Sequence, residues 1–244
     1  RSGDYAKTAA LLRPGHADFT AHAKYEGWQD ARGGGHFSGR LTAASVAAGA
    51  LCETVLRQLG VRVCTHIAAC AGVEDAPLSS AAGLALPEPA PGHFALLDPG
   101  RETAMQEAIR AAGRDGDSVG GILETIVTGL PAGIGEPWFD SVESELAHLM
   151  FSIPACKGLE FGAGFRFAGM RGSEANDPFT MRDGRVVTAT NRNGGVNGGI
   201  TNGMPLVFRT VIKPTPSIYK EQHTVDYAAR RDALLQIKGR HDPC

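Results

Sequence analysis

The sequence predicts an α+β fold, mixed layers of helices and largely antiparallel sheets, from three observations. Helical and extended patterns alternate along the 244 residues without a repeat of fixed period. The extended segments are long and glycine-rich, which suits antiparallel strands better than the short, continuously apolar strands of a parallel sheet. A hydrophobic content of 43% is enough to build a core in a chain of this length.

Each element follows from its local pattern. Residues 41–59 are rich in alanine and leucine and put Leu41, Ala44, Ala48, Leu51, Val55 and Leu59 on one helical face, with Gly60 as the terminator. From Val61 the run VRVCTHIAAC alternates with β-branched residues and reads as a strand. Residues 74–101, rich in proline, alanine and serine and without a period, are expected to form a surface insertion. A second helix is predicted over 102–114 on the stripe Met105, Ala108 and Ala111. The run from Ser118 reads as a strand ending in a glycine and proline turn, and a third helix starts near Asp140 with acidic residues at the positive end of its dipole. KGLEFGAGF, GRVVTATN and MPLVFRTVIKP read as further strands, the last stopped by Pro214. One domain over 1–244 is expected, incomplete at both ends.

Composition excludes several function classes. With 24 Lys+Arg against 26 Asp+Glu the net charge is -2, so there is no global basic footprint for nucleic acid or for a membrane surface. No run of 18 apolar residues occurs, and no charged-then-apolar leader opens the chain, so a cytoplasmic setting is expected. The five cysteines, Cys52, Cys64, Cys70, Cys156 and Cys244, are scattered and form no C-x-x-C pair, which fits a reducing compartment. Glycine, at 32 residues, is nearly twice the average usage of roughly 7%. That excess calls for sharp turns or close backbone approach.

The candidate chemistry sits in loops. Arg13, Pro14, Gly15, His16 and Asp18 place an imidazole on a proline-stiffened turn beside a guanidinium and a carboxylate, a workable general acid with an anion contact. A surface histidine in a turn is the plain alternative. Residues 32–40, from Arg32 to Arg40, form a glycine-rich loop feeding a helix N-terminus, suited to a phosphate; the sequence matches neither the Walker pattern nor the dinucleotide fingerprint. The glycine-dense run 193–203 sits between strands and reads as close backbone approach to a flat ligand rather than a linker. Lys213 to Ser217 carry two prolines, a lysine and hydroxyls, and residues 239–244 combine Arg240, His241 and Asp242. His22, His66, His93, His148 and His223 have no partner spacing and are assigned structural or surface roles; no metal pair of histidines occurs. GDSVGG at 116–121 lacks the G-x-S-x-G elbow of a nucleophilic serine.

Taken in order, RSGDY at the start, RPGHAD, the AKY of 23–25, RGGG followed by SGRLT, GDSVGG, GLPAGIGEPWFD, SIPACKG, NGGVNGGITNG, KPTPSI and GRHDPC resemble the chorismate synthase family over the whole chain. The resemblance implies a β-α-β sandwich and a carbon-oxygen lyase that converts 5-enolpyruvylshikimate 3-phosphate to chorismate and phosphate by 1,4-anti elimination, with reduced FMN, in aromatic amino acid biosynthesis. NADPH is the implied source of reducing equivalents, used by the chain itself or through a separate flavin reductase, and the implied assembly is a homotetramer. A truncated flavin-binding module without turnover is the rival reading.

By position, the resemblance makes His16 the proton donor near the flavin N1 and Asp242 the proton relay at N5. It makes His36, Phe37, Ser38, Pro154, Ala155, Gly198, Lys213, Pro214, Thr215, Pro216, Ser217 and Arg240 flavin contacts, and Arg13 and Arg40 substrate contacts. Two departures stand out. Many members carry Arg-Ser-Ser-Ala-Arg where this chain has His36, Phe37, Ser38, Gly39 and Arg40, and the family's Gly-Glu-Ser-His-Gly segment does not occur in this sequence. A highly anionic substrate on a reduced flavin demands arginines in a dry pocket, which a protein of near-zero net charge can hold locally.

Overall fold

The computed structural model describes residues 10–30, 34–78, 91–237 and 242–244. Its centre is a five-stranded antiparallel sheet built from β1 (Arg62–Cys70), β2 (Val73–Glu74), β3 (Gly121–Thr128), β4 (Cys156–Phe161) and β9 (Leu206–Ile212), in the order β2-β1-β3-β9-β4. Three two-stranded ribbons accompany it: β5 (Phe179–Arg182) with β6 (Arg185–Thr188), β7 (Val196–Asn197) with β8 (Ile200–Thr201), and β10 (Gln222–Asp226) with β11 (Arg231–Leu235). The described helices are α1 (Asp18–Lys24), α2 (Thr42–Gln58), α3 (Glu102–Arg114), α4 (Val142–Ser152) and the single turn α5 (Gly172–Ala175). The predicted α+β class with mainly antiparallel pairing is what forms.

Two apolar clusters hold these parts together. In one, Cys70 at the end of β1, Leu96 and the fully buried Met105 of α3 pack with Ile67, Phe94 and Ile109. In the other, Val196, Leu206 and Phe208 meet Leu146 and Met150 of α4 and Phe161 of β4. Ser141 starts α4 by accepting a hydrogen bond from the amide of Ser144 at 3.0 Å, which caps the helix.

Several expectations are adjusted. The buried row of α3 runs through Met105 and the half-buried Ile109 and Ala112, while Ala111 is exposed, so the stripe is rotated by about one position from the one predicted. KGLEFGAGF stays extended only to Phe161, and Gly164–Gly169 is a 3-10 turn whose start is held by Glu160 accepting from the Phe165 amide at 2.9 Å. Residues 94–98, inside the expected surface insertion, return to the body: the Ile67 amide donates to the carbonyl of Ala95 at 2.8 Å, and Leu96 is buried. The helix α2 forms as predicted, yet its apolar face is open to solvent among the described residues, with Leu51 74% and Leu59 71% exposed.

A row of ionisable side chains crosses the central sheet. Register places His66 of β1 opposite Glu124 of β3, Glu124 opposite Arg209 of β9, and Arg209 opposite Glu160 of β4. His66 is almost fully buried, and its Nδ1 and Nε2 lie 2.9 Å from carboxylate oxygens of Asp75 and Glu124 respectively. An ionised carboxylate only accepts, so two such partners favour a ring that carries a proton on both nitrogens, and their hydrogen bonds and charges raise the His66 pKa against the opposing effect of burial. Asp75 also accepts from the amides of Leu97 at 2.6 Å and Asp98 at 2.9 Å, which anchors the returning segment to the sheet.

Candidate functional site

The site grows from a turn and a strand end that are 201 residues apart. Pro14 and Gly15 bend the chain so that Arg13 and His16 precede α1. Asp18, in the first turn of α1, accepts from the amide of Arg13 at 2.9 Å and takes its guanidinium in a two-point pair, Nε to Oδ2 at 2.8 Å and Nη2 to Oδ1 at 2.7 Å. Burial on its own would raise the Asp18 carboxyl, but these bonds and the Arg13 charge hold it below its ordinary value. The turn is therefore fixed by a carboxylate that sequence reading grouped with it without assigning it a partner.

At the other end, β9 leads into Lys213, Pro214, Thr215, Pro216 and Ser217. The Lys213 amide donates to the carbonyl of Ala155 at 3.0 Å, so the Pro154-Ala155 turn before β4 lies against this segment. The Lys213 ammonium donates to the carbonyl of Gly15 at 2.7 Å. Ser118, from the GDSVGG run, donates its hydroxyl to the carbonyl of Thr215 at 2.6 Å. The buried Ser217 hydroxyl sits 2.6 Å from Nε2 of His16. Gly15 adopts φ +73°, and a side chain there would stand 2.8 Å from Cβ of Pro216, so glycine is what lets the two segments touch.

Two cavities flank this joint. The larger, about 830 Å³, is lined by Arg13, His16, Phe19, His223, Tyr227 and Arg230, between the turn and the β10-β11 ribbon. The ribbon is tied to the turn by the Leu12 amide donating to the carbonyl of Val225 at 3.1 Å and by a bond from the Thr224 hydroxyl to the Leu12 carbonyl. The smaller, about 200 Å³, lies on the other side of Ser217 and is lined by Asp117, Tyr219 and Asp242. Asp242 reaches it because the Val119 amide donates to the Pro243 carbonyl at 2.8 Å, docking the tail beside the end of α3. Ser217 thus stands between the His16 cavity and the Asp242 cavity.

The structure brings together His16, Arg13, Pro154, Ala155, Lys213 to Ser217 and Asp242. His36, Phe37, Ser38 and Arg40 follow α1 in the chain and line neither cavity. His36 stacks on Phe37 at 4.2 Å and meets the Tyr25 hydroxyl at 3.3 Å, while Ser38 accepts from the Arg40 amide and Nε. Among the described residues no hydrogen bond joins them to 213–217. The expected phosphate-holding loop therefore enters α2 through two 3-10 turns, Gly35–Phe37 and Gly39–Leu41.

Gly198 is on the β7-β8 turn with open space around it, whereas its neighbour Gly199 packs against the protein itself, a side chain there meeting the carbonyl of Glu136 at 2.5 Å. Much of the glycine density in 193–203 serves chain-on-chain packing, and Gly198 is its open position. Arg240 and the Arg32-Gly33 pair lie outside the described residues. Sequence reasoning missed His223, Tyr227 and Arg230, which carry no motif, and Ser118, which it tested only as a nucleophile.

The α+β scaffold thus brings distant loops together on a histidine, a lysine and a carboxylate around two cavities. The chorismate synthase family model matches residues 1–244. The chain is 49% identical to a chorismate synthase of Thermococcus gammatolerans over 244 residues, covering all of this chain and 67% of that protein, and 49% identical to one from Chitinophaga pinensis, covering 64% of it. A solved structure described as a chorismate synthase superposes with a TM-score of 0.71 at 30% identity, over 82% of this chain and 63% of that one. The chain belongs to the chorismate synthase family, a family of carbon-oxygen lyases, and spans about two thirds of the length of the curated relatives it matches.

Proposed function

We propose that the polypeptide carrying this sequence eliminates phosphate from 5-enolpyruvylshikimate 3-phosphate to give chorismate, with reduced FMN as cofactor. The observation that supports this most is the convergence of His16, Ser217 and Asp242, the first and last separated by more than 220 residues, around adjoining cavities. The larger cavity, beside His16, is of ligand size and has aromatic walls in Phe19 and Tyr227, and Gly198, which is not part of its lining, offers open backbone that a flat group can approach. When bound, reduced FMN would lend electron density to the substrate as its phosphate leaves and would recover it with the hydrogen the substrate loses, so that the elimination is redox-neutral overall. Lys213 to Ser217, Pro154, Ala155 and Gly198 would hold the flavin, with His36, Phe37, Ser38 and Arg240 as further contacts.

His16 serves as the proton donor on the N1 side, and Asp242 as the relay on the N5 side. Arg13, whose guanidinium Asp18 already orients, and Arg40 serve the anionic substrate. Keeping water out of this space strengthens each of these charge contacts. NADPH, directly or through a separate reductase, is the source of electrons, and a homotetramer in the cytoplasm is the assembly we infer. The exposed apolar face of α2 is consistent with burial against further protein.

The test is phosphate release from 5-enolpyruvylshikimate 3-phosphate with photoreduced FMN under anaerobic conditions. His16→Ala and Asp242→Asn are each expected to slow turnover about 100-fold or more while FMN affinity stays within about threefold. Near-normal rates would remove these roles. Because the chain spans about two thirds of its relatives, a flavin-binding piece without turnover is the second reading; FMN binding with no phosphate released identifies it.

A further inference from the structure

We propose that Ser217 is a positioning residue for His16, holding the imidazole in one orientation through both of its protonation states. This rests on the reading of His16 as the proton donor. The contact is short, Nε2 to Oγ at 2.6 Å, and the serine is 7% exposed, so water competes poorly for the hydroxyl.

A hydroxyl is suited to this task in a way that a carboxylate or an amide is not. It accepts from Nε2-H while the ring is charged, and by rotating about its C-O bond it donates to Nε2 once that nitrogen is bare. The ring plane is kept while the proton moves, and no fixed charge is added that would bind the proton too tightly to give away.

The backbone that carries Ser217 is itself held against the His16 turn. The Ser118 hydroxyl donates to the Thr215 carbonyl at 2.6 Å, the Lys213 ammonium donates to the Gly15 carbonyl at 2.7 Å, and Pro216 lies against Gly15. The Tyr219 amide donates to the Gly116 carbonyl at 2.9 Å on the far side of the serine. The hydroxyl is therefore delivered to the imidazole by a segment fixed on both flanks, while its other side borders the cavity lined by Asp242.

The experiment uses the full-length polypeptide and two readouts. In the flavin-free protein, carbethoxylation of His16 by diethyl pyrocarbonate is followed by peptide mass mapping across a pH series. Ser217→Ala is expected to raise the His16 rate about tenfold near neutral pH without changing the rates at His22 or His93. With reduced FMN and 5-enolpyruvylshikimate 3-phosphate, the same variant is expected to lower kcat about tenfold with KM within about twofold, and to shift the pH profile of kcat. Ser217→Thr, which keeps the hydroxyl, is expected to recover at least about a third of the wild-type kcat, while Ser217→Val, of the same shape, does not. In a His16→Ala background the loss of the hydroxyl costs nothing further.

An unchanged carbethoxylation rate in Ser217→Ala, or equal kcat for the threonine and valine variants, overturns the proposal. The threonine and valine pair decides the matter even where alanine does not fold. If the wild-type protein itself releases no phosphate, the functional reading fails, and the carbethoxylation comparison still decides whether Ser217 holds His16.

Discussion

Removing the His66 imidazole tests the ionised row in the centre of the sheet. In His66→Ala, the Asp75 carboxylate, whose side chain is wholly buried, loses its cation and keeps only its amide donors, and Glu124 loses its partner as well. Breaking a buried ion pair by deleting one member costs roughly 3–5 kcal/mol. The amides left on Asp75 and the partial exposure of Glu124 place this site at the lower end, about 3 kcal/mol, or a fall of about 6–12 °C in Tm for a chain of this size. The pH dependence has a definite sign. Burial alone would push His66 down, but the hydrogen bonds and charges of Glu124 and Asp75 outweigh it and leave the imidazole above its ordinary value of 6.5. Its contribution is therefore complete below that ordinary value and is lost as pH rises through the higher folded-state value. Urea unfolding of both proteins at about pH 6 and about pH 9.5 should show the gap shrinking on the alkaline side. A gap below about 1 kcal/mol, or one that does not change with pH, would refute the assignment of a buried imidazolium.

Other positions give sharp outcomes. Gly15→Ala forces a side chain into a left-handed backbone and against Pro216, and should cost about 2 kcal/mol in thermal unfolding and weaken FMN binding about tenfold as measured by fluorescence titration. Asp18→Asn should cost about 1–2 kcal/mol at neutral pH by loosening the two-point pair with Arg13. Because the Asp18 carboxyl is held low, that difference should persist above its ordinary value of 3.8 and close only as pH falls through the lower folded-state value, which Tm measured down an acid series checks. The Cys70 thiol, buried and 3.8 Å from Sγ of Cys244, is pushed up to about 11, so iodoacetamide at about pH 8 should mark the exposed Cys52 well before Cys70 in a mass-mapped time course.

The parts of this molecule that sequence patterning reveals are those whose cause is local. The strands around Val63 to Cys70 and Leu206 to Ile212 show their alternation, and the acidic residues after Asp140 announce α4. What the pattern hides depends on distant partners. His66 carries no spacing signal because Asp75 and Glu124 become its neighbours only when β1 and β3 pair in register and the chain returns at 97–98. The β10-β11 ribbon escapes notice because both its faces are partly wet, which leaves little period to read. Leu96 sits in a stretch of weak pattern, and its burial is set by Met105 and Cys70. In the candidate site, the conspicuous residues His16 and Lys213 were legible from their motifs. The roles of Asp18 and Ser118 are visible only as hydrogen bonds, and the glycine-dense run 193–203 gave its density but not its reason, which is packing of the backbone on itself.

The distance along the chain between His16 and Ser217 also sets when the site can exist. Loop closure over 201 residues gains nothing until the ends are brought close by other contacts, and here those contacts are the bridge between Leu11 and Asp226 and the Leu12 amide bonded to the Val225 carbonyl. During synthesis the histidine turn waits for 201 further residues before its serine arrives. The geometry around His16 is thus complete only once β10 has docked on the turn, so a partly folded chain holds these residues without their arrangement.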